Sequence, residues 1–113
     1  VKLEPQGGEL LATFEDVSVY KRLEAHIRRM AFQDELTGIY NRRYFTARVP
    51  NLLALARRNA WSVALLYFDL NGFKAINDAF GHRQGDRVLQ AVAGRLRSIS
   101  RESDIFFRSS GDE

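Results

Sequence analysis

The chain has 113 residues, of which 45% are hydrophobic and 27% are charged, a balance typical of one small globular domain. Its net charge of +3 is too small, without a basic run, to indicate nucleic-acid binding. The absence of cysteine excludes disulfides, thiolate catalysis and cysteine-ligated zinc. Because no apolar run reaches the roughly 20 residues of a membrane span and the start has no signal-peptide layout, we expect a cytoplasmic chain without membrane contact of its own.

The first third of the chain predicts a hairpin followed by a helix. Gly7 and Gly8 separate two short segments of strand character, which favours a β-hairpin over residues 1–18. Two strands alone do not make a domain, so we expect the hairpin to end a module that lies upstream. Residues 19–33 predict a connecting helix or short coiled coil, with a narrow apolar stripe of Leu23, Ile27 and Met30.

Beyond this helix the pattern predicts alternating helices and strands. A helix is expected from about Asn41, with a kink or break near Val49 because Pro50 removes a helical hydrogen bond. The apolar run Trp61–Leu70 predicts a strand that is covered on both faces.

Two further helices and a strand complete the predicted order. One helix is expected over residues 73–80, and a longer one from about Asp86, as its N-cap, to Ser100. The apolar residues of the longer helix are expected on one face: Val88, Leu89, Val92, Leu96 and Ile99. Residues 104–110 predict a second strand, which a turn follows. The order is that of an α/β fold, but two strands make a poorly stabilised parallel sheet, so we expect the domain to be truncated.

Polar side chains gather where the two predicted strands end. Asp69 follows the first strand, with Lys74 and Asn77 soon after it, while Asp112 and Glu113 follow the second. If the strands are neighbours, the three acids meet at the edge where open α/β sheets bind ligands. Carboxylates together with phosphates are the ligands that Mg²⁺ prefers. The alternative is that these acids are solvated turn residues or helix caps, and the spacing alone leaves both interpretations open.

Three segments resemble the GGDEF family of diguanylate cyclases in order and spacing over residues 32–113. They are DELTGIYNRR (Asp34–Arg43), FDLNGFKAINDAFGHRQGDRVL (Phe68–Leu89) and RSSGDE (Arg108–Glu113). The resemblance implies an α+β, nucleotidyl-cyclase-like fold with a mixed sheet flanked by helices. It also implies that residues 34–113 are the N-terminal part of a GGDEF domain, truncated after the signature hairpin begins.

The resemblance further implies which residues act in catalysis. In the family, two GTP molecules condense into cyclic di-GMP with release of pyrophosphate, in a homodimer whose domains each hold one GTP. The metal, Mg²⁺ or Mn²⁺, would bind the carboxylates of Asp69 and Asp112 and the carbonyl of Leu70. Glu113 would assist at the metal or in activating the ribose 3′-hydroxyl.

The same resemblance implies two nucleotide sites. GTP would be held by Phe73, Lys74, Asn77 and Asp86, of which the last two match the guanine-binding positions and would select GTP over ATP. The pair Arg101 and Asp104 lies at the family's inhibitory product site for cyclic di-GMP. On its own this R-x-x-D pattern is more typical of a surface ion pair.

Two departures from the family pattern keep a second interpretation open. Ser110 stands at the first glycine of the signature, where backbone must approach the nucleotide closely, and Asn71 replaces the second aspartate of D-x-D. The alternative function is therefore a catalytically inactive module that binds GTP or cyclic di-GMP and controls a partner such as a phosphodiesterase domain. Because the signature phenylalanine and later basic residues lie outside the sequence, we expect these 113 residues alone to be inactive.

The start of the chain resembles the end of a PAS sensor domain. The segment FEDVSVYKRLEAH (Phe14–His26) is similar to the junction at which the last PAS strand closes. The resulting domain prediction has a PAS-like end at 1–18, a signalling helix at 19–33 and the GGDEF part at 34–113.

Overall fold

The first of the chain's two units, Val1–Ala31, consists of helix where it is described. The computed structural model describes residues 7–113, and side chains from residue 16 onward. Helix α1 spans Gly7–Phe32, so the predicted hairpin is wrong over residues 7–18, while residues 1–6 lie outside the described part. The predicted connecting helix is confirmed and begins earlier than expected. Glu, Leu and Ala, which follow the two glycines, are strong helix formers and outweigh the turn signal.

The apolar stripe of α1 is open to solvent within this unit. Leu23, Ile27 and Met30 are each more than half exposed, and Tyr20 one turn earlier is exposed as well. Glu24 and Arg28 form an exposed ion pair on the same helix at 3.0 Å. Among the described helices, none is both long enough and apolar enough to cross a membrane.

Helix α2 (Arg42–Asn59) of the second unit, Phe32–Glu113, is capped at its N-terminus. Its N-cap Asn41 accepts a hydrogen bond from the Tyr44 amide at 3.0 Å. The predicted break near Val49 is not observed, because the helix continues through Pro50. Packing outweighs the lost hydrogen bond, since one face of α2 is buried or half-buried through Phe45, Val49, Leu52 and Ala56.

Residues 61–70 differ most from expectation. The segment is not a strand, and its side chains are not covered, since Leu66 is 75% exposed and Tyr67 67% exposed. A strand requires a neighbour that takes up its N–H and C=O groups, and no strand in the described part of the chain pairs with this segment. The segment is apolar in sequence, but the predicted strand and its predicted burial on both faces are wrong for this structure.

Two helices pack against each other in the middle of the unit. Helix α3 spans Phe73–Phe80, as predicted, and α4 spans His82–Ile99. The predicted N-cap Asp86 is wrong, since Gly81 precedes the helix with φ of 87° and Asp86 lies inside it. The predicted apolar face of α4 is covered at Val88, Leu89, Val92 and Leu96, whereas Ile99 is exposed. Ala93, which was not predicted, is buried as well.

A small sheet joins the two ends of this unit. Strand β1 (Tyr40–Asn41) pairs in parallel with β2 (Phe107–Arg108), and an isolated antiparallel bridge links Gln33 with Tyr40. The mixed helix-and-sheet class is therefore confirmed. The strand predicted over 104–110 is limited to two residues, and its partner is β1 rather than residues 61–70. Aromatic rings fill the space beside the sheet: Phe32, Tyr40, Tyr44, Phe45 and Phe107.

Candidate functional site

Asp69, Asp112 and Glu113 lie close together and form an acidic edge, although residues 61–70 are not a strand of the sheet as predicted. Leu70, next to Asp69, donates its amide hydrogen to the Asp112 carbonyl at 3.3 Å. A hydrogen bond to Asp112 raises the pKa of the Asp69 carboxyl, and the charges of Asp112 and Glu113 act in the same direction. Two neighbouring carboxyl groups disfavour each other's ionisation, because both would carry negative charge. The site therefore holds two carboxylates side by side, open to solvent and suited to a cation.

The turn after β2 has a defined backbone conformation. The Glu113 amide donates to the Ser110 carbonyl at 2.7 Å, and the Ser109 amide donates to the Glu113 carbonyl at 2.9 Å. Gly111 has φ of 44°, in the left-handed region that favours glycine. This turn places Asp112 and Glu113 at the site.

The Glu113 carboxylate accepts two hydroxyl hydrogen bonds. Tyr67 donates to Oε2 at 2.5 Å and Ser110 donates to the same oxygen at 2.9 Å. These bonds, Tyr67 first and then Ser110, lower the pKa of Glu113. The bond to Glu113 raises the pKa of Tyr67. Neither Tyr67 nor Ser110 was predicted as a contact of Glu113, because only the folded turn brings them together.

An ion pair connects the start of the second unit to the signature turn. Nη1 of Arg108 lies 3.1 Å from both carboxylate oxygens of Asp34, and each side chain is only 20% exposed. Arg108 also donates through Nε to the Gly111 carbonyl at 2.8 Å. Burial raises the pKa of Asp34, but hydrogen bonds from Thr37 and Arg108 outweigh it, so the pKa is lowered. Although both residues stand in the quoted motifs, sequence reasoning assigned them no contact, because 74 positions separate them.

Helix α4 fixes the loop that carries Asp34. Gln90 donates to the Leu36 carbonyl at 3.1 Å, and Arg97 donates to the Thr37 carbonyl. The loop therefore contacts α4 on one side and, through Arg108, the turn after β2 on the other.

The two predicted guanine-binding residues lie on facing parts of α3 and α4. Asn77 packs against Gly85, the residue before Asp86, and the Phe73 ring packs there too. Asn77 Oδ1 is buried and, within the described residues, has no hydrogen-bond partner. An unpaired buried acceptor is costly. Lys74 lies exposed on the same helix.

Replacing Gly85 with alanine is expected to destabilise the α3–α4 pair. An added Cβ would lie 2.9 Å from Asn77 Cγ and 3.2 Å from Phe73 Cζ, and overpacking of this kind costs about 1–3 kcal/mol. Thermal unfolding of the full-length protein is the measurement. Gly94→Ala is the matched control, because a Cβ at this position of the same helix would project into open space; it should be neutral or stabilising. Equal melting temperatures for the two variants would contradict the packing argument.

Arg101 and Asp104 form a small turn at the surface. The Arg101 amide donates to Asp104 Oδ2 at 2.9 Å, and the Asp104 amide donates to the Arg101 carbonyl at 3.0 Å. Both residues are exposed. The predicted product-site residues are therefore adjacent and open to a ligand, while their role stays a prediction.

The donors at the acidic edge fit a hard divalent cation. In the part of the chain that the structure describes, no group of three or more His, Asp or Glu side chains is arranged to hold a metal. The Asp69 and Asp112 pair matches the protein ligands that Mg²⁺ usually takes, which are one or two carboxylates together with substrate phosphates.

Comparison with known sequences gives one family. Residues 31–113 match the diguanylate cyclase, GGDEF domain family. The chain is 39% identical over 106 residues to the diguanylate cyclase DgcM of Escherichia coli, covering 92% of this chain and 25% of DgcM. It is 42% identical over 89 residues to the cyclic di-GMP phosphodiesterase NbdA of Pseudomonas aeruginosa, covering 79% of this chain and 11% of NbdA. The chain thus spans a minor part of the relatives it matches.

Solved structures give the same result for the fold. A GGDEF domain of TpbB (YfiN) from Pseudomonas aeruginosa superposes with a TM-score of 0.67 at 41% identity, covering 71% of this chain and 46% of that one. The coiled coil and GGDEF domain of DgcB from Caulobacter crescentus, in complex with c-di-GMP, superposes with a TM-score of 0.77 over 96% of this chain and 57% of that one. At 23% identity this second likeness concerns the fold alone.

Proposed function

From the premise that this chain belongs to the GGDEF domain family of diguanylate cyclases, we propose that its protein condenses two GTP molecules into cyclic di-GMP. In each half-reaction the 3′-oxygen of one GTP forms a bond to the α-phosphorus of the other, and pyrophosphate leaves. The observation that carries the proposal is the meeting of Asp69, Asp112 and Glu113 at one edge, with Asp112 raising the pKa of Asp69. A homodimer is part of the proposal, because each domain supplies one GTP.

The proposed cofactor is Mg²⁺ or Mn²⁺, held by the Asp69 and Asp112 carboxylates and the Leu70 carbonyl. When bound, such a cation stabilises the charge that develops on the transferring phosphoryl group. The adjacent carboxylates support this assignment, since a cation would relieve their mutual repulsion.

The remaining residues have distinct roles in the proposal. The Glu113 carboxylate lies beside the acid pair and is suited to accept the proton of the attacking hydroxyl. Asn77 Oδ1, buried without a partner among the described residues, would accept from a guanine N–H group, with Asp86 taking a second one. Lys74 would meet phosphate, and the Phe73 ring, packed at Gly85, would support the base site.

Turnover by the full-length protein tests the proposal directly. Incubation with Mg²⁺ and GTP should give cyclic di-GMP and pyrophosphate, and chromatography detects the cyclic di-GMP. Incubation with ATP in place of GTP should give no cyclic product. Absence of cyclic di-GMP with either Mg²⁺ or Mn²⁺ would contradict the proposed activity.

A second candidate function is a module that binds cyclic di-GMP without making it. Ser110 in the signature and the similarity to NbdA favour it. In that case the Arg101–Asp104 turn would be the binding site, and a phosphodiesterase domain the controlled partner. Titration calorimetry should then detect cyclic di-GMP binding that is lost in Arg101→Ala, together with no turnover of GTP.

Regulation through α1 extends the proposal. The exposed stripe of Leu23, Ile27 and Met30 suits a two-stranded coiled coil, which would set the relative position of two cyclase domains in a cytoplasmic setting. A PAS-like input domain upstream is supported by the sequence similarity of Phe14–His26 alone, since the hairpin predicted for the PAS-like end is helix over residues 7–18.

A further inference from the structure

The residue that departs from the family signature contacts the signature's own glutamate. Ser110 Oγ donates to Glu113 Oε2 at 2.9 Å, while the two residues close the turn through the Glu113 amide and the Ser110 carbonyl at 2.7 Å. A glycine at position 110 has no hydroxyl and cannot make the side-chain bond. The serine therefore adds a contact at the site.

A second hydroxyl converges on the same oxygen from a distant part of the sequence. Tyr67 lies 46 positions before Glu113 and donates to Oε2 at 2.5 Å. Hydrogen bonds to an ionised acceptor are among the stronger ones, and two donors on one oxygen restrict rotation of the carboxylate. Within the described residues no hydrogen bond reaches Glu113 Oε1, so this oxygen is left to accept from a ligand.

We infer that Ser110 and Tyr67 are positioning residues that together hold the Glu113 carboxylate in one orientation at the acidic edge. The inference rests on the proposed function for its catalytic consequence, because a fixed general base lowers the barrier through preorganisation. In this chain Ser110 therefore helps to orient the glutamate of the signature. Restoring the family glycine removes a contact from the site.

Kinetics of the full-length protein test the catalytic consequence. Ser110→Ala, Ser110→Gly and Tyr67→Phe should each lower kcat by about 5- to 50-fold with KM for GTP changed less than about twofold, whereas Ser110→Thr, which keeps the hydroxyl, should retain kcat. The double variant Tyr67→Phe/Ser110→Ala should be non-additive, because both donors act on one oxygen. An unchanged or higher kcat in Ser110→Ala and Ser110→Gly would overturn the inference.

Amide hydrogen exchange gives a readout that does not depend on turnover. Loss of the Ser110 hydroxyl should increase exchange of the Glu113 amide, which the turn protects, and Ser110→Thr should restore protection. Ser98→Ala is the matched control, since its hydroxyl bonds only within α4, to the Arg95 carbonyl. If the wild-type protein makes no cyclic di-GMP, the proposed function fails, while exchange still decides on Ser110. Equal exchange in the wild-type and Ser110→Ala proteins would refute the positioning role.

Discussion

Replacing Asp69 with asparagine is expected to reduce cyclic di-GMP formation by at least about 100-fold, because removing one partner of a charge-stabilising site costs a factor of this order. Asparagine keeps the shape of the side chain and removes the charge that would bind the cation. The Asp69 carboxyl lies beside Asp112, which raises its pKa, so the substitution also removes a like-charge repulsion. We therefore expect activity to fall without a loss of thermal stability.

Initial rates with Mg²⁺ and GTP, together with a thermal unfolding curve, check this prediction. Asp112→Asn should behave in the same way, because the two carboxylates share one site. Asp78→Asn is the control, since Asp78 is exposed on α3. This substitution removes the same charge at a position outside the acid pair. Full activity in Asp69→Asn would exclude the proposed metal site, and a lower melting temperature would mean that the acid pair is structural.

Replacing Asp34 with asparagine is expected to destabilise the second unit by about 1–3 kcal/mol at neutral pH, the cost of leaving a largely covered charge without its partner. Asp34 accepts from both the amide and the hydroxyl of Thr37, at 2.9 and 2.6 Å, and is paired with Arg108. Its loss frees the guanidinium that also bonds to the Gly111 carbonyl. The signature turn should therefore become looser as well.

The pH dependence of this effect follows from the lowered pKa of Asp34. A carboxyl whose folded-state pKa is depressed contributes fully above its ordinary pKa and loses that contribution as the pH falls through the folded value. The difference in unfolding free energy between wild type and Asp34→Asn should be largest near neutral pH and should shrink in acid. Urea unfolding over a pH series measures it.

A surface ion pair of the same chain is the control for this experiment. Glu24 and Arg28 form an exposed i,i+4 pair, with side chains 48% and 73% exposed. Glu24→Gln should therefore cost no more than about 0.5 kcal/mol. A difference for Asp34→Asn as small as this, or one that grows in acid, would contradict the assigned role of the pair.

Local sequence determined the helices and the identity of the acids. The spacing of apolar residues predicted most of the covered face of α4, because those contacts repeat with the helical period. Asp69 was identified because it ends an apolar run, and Asp112 and Glu113 because they lie in a turn after a second predicted strand. The spacing of the motifs that contain these acids indicated the family. The turn signal was misleading at residues 7–18, where paired glycines suggested a hairpin but the neighbouring helix formers extend α1.

Tertiary structure decided the contacts between residues far apart in sequence. The sequence contained Asp34 and Arg108 and also Tyr67 and Glu113, but only the fold brings each pair within hydrogen-bonding distance. Strand formation depends equally on a partner: residues 61–70 have strand composition, yet the short Tyr40–Asn41 segment pairs with β2. A helix satisfies its backbone within itself, whereas strands, ion pairs and the orientation of a carboxylate depend on groups that the chain must bring together. This is why the acids were identifiable from sequence and the groups that hold them were not.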